Sequence, residues 1–315
     1  MAGGLLLGRF AQKIEQETNL GGVWVGAVLL AGATTLPEMV TSVTSGLLQV
    51  PDIGAGNLFG SILLNLMVLV ALDFAEGKQS ILIKVAPDHV LSATLGMTLV
   101  AVATISTLAR LDIGVGHVGA DTIFLFLGYF FALFLINRFQ NRSSEMSASQ
   151  SAQPAGSGRS VIWTYVGFGL SALGVMVGGT ILVGSADELA RITGLGTTFV
   201  GSTLVALVTS LPELVIGITL VLRGALDIAV GNILGANLLN MALLLVVDLS
   251  YLPGRVLSVI SPAHALTGLG GLILTSIALV GLVYRSKRNY VGLGPDTVFL
   301  VGAYLVISYI LLVIT

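Results

Sequence analysis

Shifting the sequence by 175 positions lays its second half on its first without a gap. Thr34-Thr35-Leu36-Pro37-Glu38 meets Thr209-Ser210-Leu211-Pro212-Glu213, and Gly56-Asn57-Leu58-Phe59-Gly60 meets Gly231-Asn232-Ile233-Leu234-Gly235. Further on, Pro87, His89 and Asp121-Thr122 meet Pro262, His264 and Asp296-Thr297. Between Gly3 and Asp73 about 28 of 71 aligned positions are identical, more than shared hydrophobicity alone produces. The chain is therefore two copies of one structural unit.

Each copy is made of membrane spans. Stretches free of Asp, Glu, Lys and Arg cover 18–37, 53–72, 89–109, 122–137, 160–186, 192–212, 228–247, 256–284 and 297–315. Most reach or approach the roughly 20 residues that cross about 30 Å of hydrocarbon as a helix. The composition agrees: 55% hydrophobic and 10% charged residues, with a mean hydropathy of +0.99. So few charges cannot cover a water-soluble globule, which excludes most soluble enzymes, nucleic-acid binders and disordered chains. A β-barrel would show segments of about 10 residues with apolar/polar alternation, and the sequence has none. There are no cysteines, so disulfides, zinc thiolate sites and cysteine nucleophiles are excluded. A net charge of -2 says nothing about partners.

Counting ten spans gives five per copy, so the second copy enters the membrane from the opposite side. An odd-numbered duplication is an inverted repeat, an architecture that places substrate near the midplane where the copies meet. The expected fold is thus an all-α polytopic membrane protein of ten helices in two inverted five-helix repeats, 1–138 and 160–315. Between them 139–159, rich in Ser, Gln and Ala, is expected to be a flexible linker. The second copy has an apolar lead-in, Val161 to Val177, which the first lacks, so the first helix is expected to be shortened or about 15 to 20 residues are expected ahead of Met1. Basic residues orient the bundle. Arg9, Lys13, Lys78, Lys84, Arg138, Arg142, Arg159, Arg223, Arg285, Lys287 and Arg288 share one face against Arg110, Arg191 and Arg255 on the other. The first face, with the linker, is expected to be cytoplasmic and both termini non-cytoplasmic.

A charge near the centre of a span costs at least about 2.5 kcal/mol on insertion scales. Glu38 and Glu213 sit inside the second and seventh spans at equivalent positions, with no basic residue nearby in sequence. Thr34 and Thr209 lie one turn earlier on the same helix face. Pro37 and Pro212 lack the N–H that would bond Ala33 and Val208, and their rings crowd that turn. A carboxylate, a hydroxyl and freed carbonyl oxygens describe a hard-cation site. The third and eighth spans add Ser61 and Asn65, four apart on one face, with Ala236 and Asn240 as equivalents. Gly56 and Gly60, like Gly231 and Gly235, form small-residue seams for close helix approach. Asp52 and Asp227 read as helix caps or dipole partners. Asp73, Asp248, His89 and His264 read as residues of the membrane interface, and Asp187-Glu188 has Gln12-Lys13 as its equivalent, against a shared function.

These motifs resemble the cation/calcium antiporter superfamily, in particular its sodium/calcium exchanger family of prokaryotic type. The resemblance rests on ATTLPEMVTS with GNLFGSILLN and on VTSLPELVIG with GNILGANLLN, and it covers nearly the whole chain. It implies that the second, third, seventh and eighth helices form the ion-binding core while the first and sixth slide across it. It implies Ca2+ or Na+ ligation by Glu38 and Glu213, with Thr34, Thr35, Thr209 and Ser210 as hydroxyl or carbonyl ligands. Ala31 and Ala206 follow as carbonyl ligands, and Ser61, Asn65 and Asn240 as ligands from the third and eighth helices. Several exchangers carry Ser and Asp where this chain has Ala236 and Asn240, and its short linker leaves no room for the large regulatory domains of animal exchangers.

The expected function is secondary antiport of Ca2+ for Na+ by alternating access, in the cell (inner) membrane, with Ca2+ and Na+ as transported ions. No resident cofactor, no nucleic acid and no obligatory protein partner are implied, and the chain is not expected to be an enzyme. Ca2+/H+ or Na+/H+ exchange is the alternative within the class, because buried glutamates can be discharged by protons. A cation channel or a non-transporting scaffold is the alternative outside it, although a channel more naturally rings a pore with subunits.

Overall fold

The computed structural model describes residues 2–17, 21–77, 80–147, 163–171, 173–174, 177, 200–285 and 294–314. Those residues are almost entirely helical, and the helices recur at the 175-residue spacing. In the first copy α1 covers Ala2–Glu17, α2 Gly22–Thr34, α3 Leu36–Leu47, α4 Pro51–Glu76, α5 Ile81–Lys84, α6 His89–Ala109 and α7 Ala120–Ser147. In the second, α8 comprises Val200–Val205 and Ala206–Thr209, followed by α9 Leu211–Leu222, α10 Leu226–Ser250, α11 Val256–Val259, α12 Ala263–Tyr284 and α13 Pro295–Ile314. A small hairpin pairs β1 (Gly114–Val115) with antiparallel β2 (Val118–Gly119). Six helices, α4, α6, α7, α10, α12 and α13, are continuous and apolar enough to span a membrane. Among the described residues the bent pairs α2/α3 and α8/α9 meet the same length and apolarity when each is taken as one span, which brings the total to eight. Helix α7 runs on to Ser147, so the first part of the expected linker is helical; its sequence there has no Pro or Gly to stop it.

The two central helices explain themselves by composition. In their most apolar stretches α4 is 78% and α10 83% buried, against 28% for α7 and 11% for α13. A helix buried all round has no amphipathic face; α4 and α10 carry small or apolar side chains on every side, and α7 and α13 give theirs to lipid. Phe59, Ile62 and Leu66 of α4 and Ile233, Leu238 and Met241 of α10 belong to one buried apolar core. Each central helix also packs on the broken span of the other copy, α10 on α2 and α4 on α8. Glycine sets the first of these approaches. A Cβ on Gly26 would lie 2.8 Å from the Asn232 backbone nitrogen and overlap the Ile228 carbonyl, and one on Gly231 would lie 2.9 Å from the Val23 carbonyl. The expected small-residue seam on α10 is thus present, and it faces α2.

Asp52, Asp227, Asp73 and Asp248 do more than cap. Asp52 lies in the first turn of α4; its carboxylate accepts from His264 Nε2 at 2.9 Å and from the Ser261 N–H at 2.7 Å. Asp227 does the same with His89 at 3.1 Å and the Ala86 N–H at 2.7 Å. Both histidines are fully buried within the protein, so whatever their depth in the membrane they face the opposite copy's aspartate and not lipid or water. Asp73 and Asp248 are buried too, accepting from the Ile81 and Val256 N–H groups and from the Thr297 and Thr122 hydroxyls. An unpaired carboxylate in these places would be too costly to bury, and in each case a donor comes from the opposite copy.

Candidate functional site

Pro37 and Pro212 deliver the breaks that the sequence implies. The chain bends by 45° between α2 and α3 and by 41° between α8 and α9. The hinge residues are Thr35 (φ -83°, ψ 9°) and Ser210 (φ -83°, ψ -1°). After the bend Glu38 and Glu213 fall in the first turn of a new half-helix, the end at which the backbone dipole tolerates a carboxylate. The preceding turns, Val25–Leu30 and Val200–Val205, are π-helical in both copies. Such wide turns concentrate at functional sites, and nothing in the residue pattern announces them.

Both glutamates are almost fully buried, at 1% exposure. They lie close enough to interact electrostatically, and among the described residues no basic side chain stands beside either. Their neighbours cross between copies. The Thr209 hydroxyl lies against Glu38, and the Thr34 hydroxyl against Glu213. Thr209 donates to Asn57 Oδ1 at 2.9 Å, and Thr34 to Asn232 Oδ1 at 3.2 Å. Each threonine also lies 3.2 Å from the carbonyl three residues back, that of Ala206 or Ala31. A hydroxyl has one proton and two lone pairs. Each threonine hydroxyl thus has an amide, a carbonyl and a carboxylate oxygen as competing acceptors for its one proton and keeps lone pairs that a cation can use.

Other expected ligands divide. Ser61, Asn65 and Asn240 are buried on α4 and α10, and Ser210 is buried at its hinge. Glu38 Oε2, both Glu213 oxygens, Ser61 Oγ, Asn65 Oδ1, Ser210 Oγ and Asn240 Oδ1 have no hydrogen-bond partner. Buried oxygens without partners cost about 1–3 kcal/mol each, and this set on the four helices of the two glutamate breaks and the two central spans is of the kind that can serve as ligands. The hinges are unequal: the Thr35 hydroxyl donates to the Ala31 carbonyl at 2.8 Å, whereas its equivalent on Ser210 is free. The Ala31 oxygen also accepts the Thr35 N–H at 3.0 Å, and the Ala206 oxygen the Ser210 N–H at 3.0 Å, so both carbonyls already serve their own helices. Among the described residues no three His, Asp or Glu converge as a resident-metal site would require.

Sequence reasoning passed over Asn57 and Asn232, although their recurrence one position after Gly56 and Gly231 was a usable signal. It also passed over Asn237, which gave none, because its equivalent is Ile62. The remaining expectations for the sixth span, including Asp187-Glu188, lie outside the described residues.

Comparison with known proteins follows the same lines. The model of the family described as "Sodium/calcium exchanger protein" matches residues 1–149 and 163–315. Inner membrane protein YrbG of Escherichia coli is 28% identical over 290 residues, covering 90% of this chain and 84% of that protein. Sodium/calcium exchanger MaX1 of Methanosarcina acetivorans is 38% identical over 76 residues, 24% of this chain and 22% of that one. A crystal structure of the sodium-calcium exchanger NCX_Mj superposes with a TM-score of 0.71 at 20% identity, covering 98% of this chain and 93% of that chain. That likeness shows a shared fold, into which the ten-helix inverted repeat fits.

Proposed function

Because the chain belongs to the sodium/calcium exchanger protein family, we propose that it is a secondary antiporter exchanging Ca2+ for Na+ across a membrane by alternating access. The observation that carries this reading is the pair of buried carboxylates, one from each copy, whose oxygens stand with partnerless neutral oxygens and without a basic side chain. Two negative charges balance one Ca2+, and oxygen ligands of mixed charge suit a hard cation. Glu38 and Glu213 supply the charge; Thr34, Thr209, Ser210, Ser61, Asn65 and Asn240 supply neutral oxygens. Ala31 and Ala206 add carbonyl oxygens and Thr35 its hydroxyl oxygen, each keeping a lone pair for the ion beside the hydrogen bonds it makes at its hinge.

Transport needs the site to face each side in turn with a compensating ion aboard. Without cations, two carboxylates in a low-dielectric interior repel, so the site crosses loaded with Ca2+ or with Na+. The bends at Thr35 and Ser210 let the half-helices before and after the site tilt separately, a natural place for gating motion. The copies correspond to 1–138 and 160–315, joined by 139–159. The face bearing Arg9, Lys13 and Arg223, which line one groove, is the cytoplasmic one, in keeping with the inner-membrane name of the Escherichia coli relative.

Purified protein in liposomes, with Na+ and pH gradients imposed separately, tests the reading. Uptake of labelled Ca2+ driven by an outward Na+ gradient is expected. Uptake driven by the pH gradient alone would replace Na+ by H+ as the coupling ion, and no uptake under either would overturn antiport.

A further inference from the structure

Asn65 and Asn237 meet where the internal symmetry fails. The equivalent of Asn65 is Asn240, but the equivalent of Asn237 is Ile62. Asn65 Nδ2 donates to Asn237 Oδ1 at 2.9 Å, from α4 to α10. The other end of that amide, Asn65 Oδ1, is buried with no partner, and so are both polar atoms of Asn240. All three side chains are 4% exposed or less.

A primary amide has one end that accepts and one that donates, and only the accepting end is useful to a cation. Asn57, Ser61 and Asn65 follow one another at four-residue intervals along α4, and Asn57 at the start of that line is bonded to Thr209 beside Glu38. With its donor end fixed sideways on Asn237, Asn65 offers its oxygen along this line. Asn240 occupies the equivalent place on α10, but Ile62 has no acceptor to fix it.

On this basis, and resting on the reading that the glutamate site holds the transported cation, we infer that Asn237 is a positioning residue that holds the Asn65 amide with its oxygen toward the cation. Asn65 is thereby a permanent neutral ligand. Asn240, without such an anchor, turns its amide with the state of the site. The two halves of the site then differ in stiffness although their ligand types match, and the difference traces to one unmatched side chain.

The test is equilibrium binding of labelled Ca2+ to the purified full-length protein. Asn237→Ala removes the acceptor and is expected to weaken Ca2+ binding about fivefold to tenfold, the worth of one hydrogen bond. Asn237→Asp keeps an acceptor, and any charge it carries attracts the cation, so it is expected to bind Ca2+ no more weakly than the unaltered protein. Asn65→Asp has two equivalent oxygens, so in that background adding Asn237→Ala is expected to change affinity by less than about twofold. An equal loss from Asn237→Ala in both backgrounds would reduce Asn237 to a structural contact and overturn the inference. Loss with Asn237→Asp as large as with Asn237→Ala would make Asn237 the donor and reverse the amide. Should Asn237→Ala fail to fold, as judged by size-exclusion chromatography, the Asn237→Asp result decides. Undiminished Ca2+ binding by Glu38→Gln and Glu213→Gln would instead refute the cation site itself, whatever Asn237 does.

Discussion

The Thr209 hydroxyl donates to Asn57 Oδ1 at 2.9 Å, joining the hinge of one copy to the central helix of the other beside the Glu38 carboxylate. If this bond aims the hydroxyl's lone pairs at the ion, Thr209→Val and Asn57→Ala disturb one arrangement. Each is expected to lower apparent Ca2+ affinity about tenfold, with a coupling of about 1 kcal/mol in the double mutant. Additive losses in a four-protein binding cycle would show that the two act separately.

Glu38→Gln or Glu213→Gln leaves one formal negative charge for a divalent ion. Gradient-driven Ca2+ flux in proteoliposomes is expected to vanish in either mutant, while both elute as monodisperse protein, because Gln fills nearly the same volume and removes a buried charge. Normal flux in either would remove that residue from the site.

Gly26 has backbone where a side chain would go, and Gly32, six residues on, has nothing within 4 Å of its missing Cβ. Gly26→Ala is therefore expected to push α2 off α10 and cost about 1–3 kcal/mol, while Gly32→Ala gains slightly from helix propensity. Thermal melting in detergent separates them, and equal midpoints would mean that the α2–α10 seam yields easily.

Removing Asp52 by alanine strands a buried His264 ring nitrogen and the Ser261 N–H. A loss of about 2–4 kcal/mol is expected, with Asp227→Ala matching it through His89 and Ala86. Asp52→Asn keeps an acceptor for one of the two donors and is expected to cost less. Melting midpoints of the three variants supply the comparison, and an Asp52→Ala protein as stable as the parent would make the pairing incidental.

Asn240 holds a place where several relatives by resemblance carry Asp. With only Glu38 and Glu213 charged, three Na+ would leave an excess positive charge in a low-dielectric interior, so fewer Na+ per Ca2+ are expected here. Asn240→Asp adds a third ionisable group to the site and gives protons a further place to compete with Na+. Flux measured from about pH 6 to about pH 9 is expected to gain a pH-dependent component in the mutant. Superimposable profiles with unchanged Na+ cooperativity would place Asn240 off the ion path.

Much of this was legible in the sequence because it was written twice. The repeat exposed the spans, the glutamates, the proline breaks and the glycine seam on α10, each visible as an identity at a spacing of 175. What crosses between copies was not legible. Asp52 with His264 and Thr34 with Asn232 lie 212 and 198 residues apart, and no local pattern says which helix start will face which carboxylate. The π-helical turns escaped because residue propensity does not encode them. Asn237 escaped for the opposite reason: it broke the repeat, and a method that trusts repetition discounts its exceptions.

Asp52, Asp227, Asp73, Asp248, Thr34 and Thr209 each have a hydrogen bond that runs from one copy to the other. Seen this way the molecule is a dimer whose subunits share a polypeptide, each completing the other's buried polar groups. A lone copy would need a second, inserted upside down beside it, before its buried carboxylates and hydroxyls found all their partners. Fusing two such copies makes that meeting intramolecular, at the high effective concentration a short tether confers, and frees each to drift on its own. The unmatched pair of Ile62 and Asn237 is what such drift leaves behind.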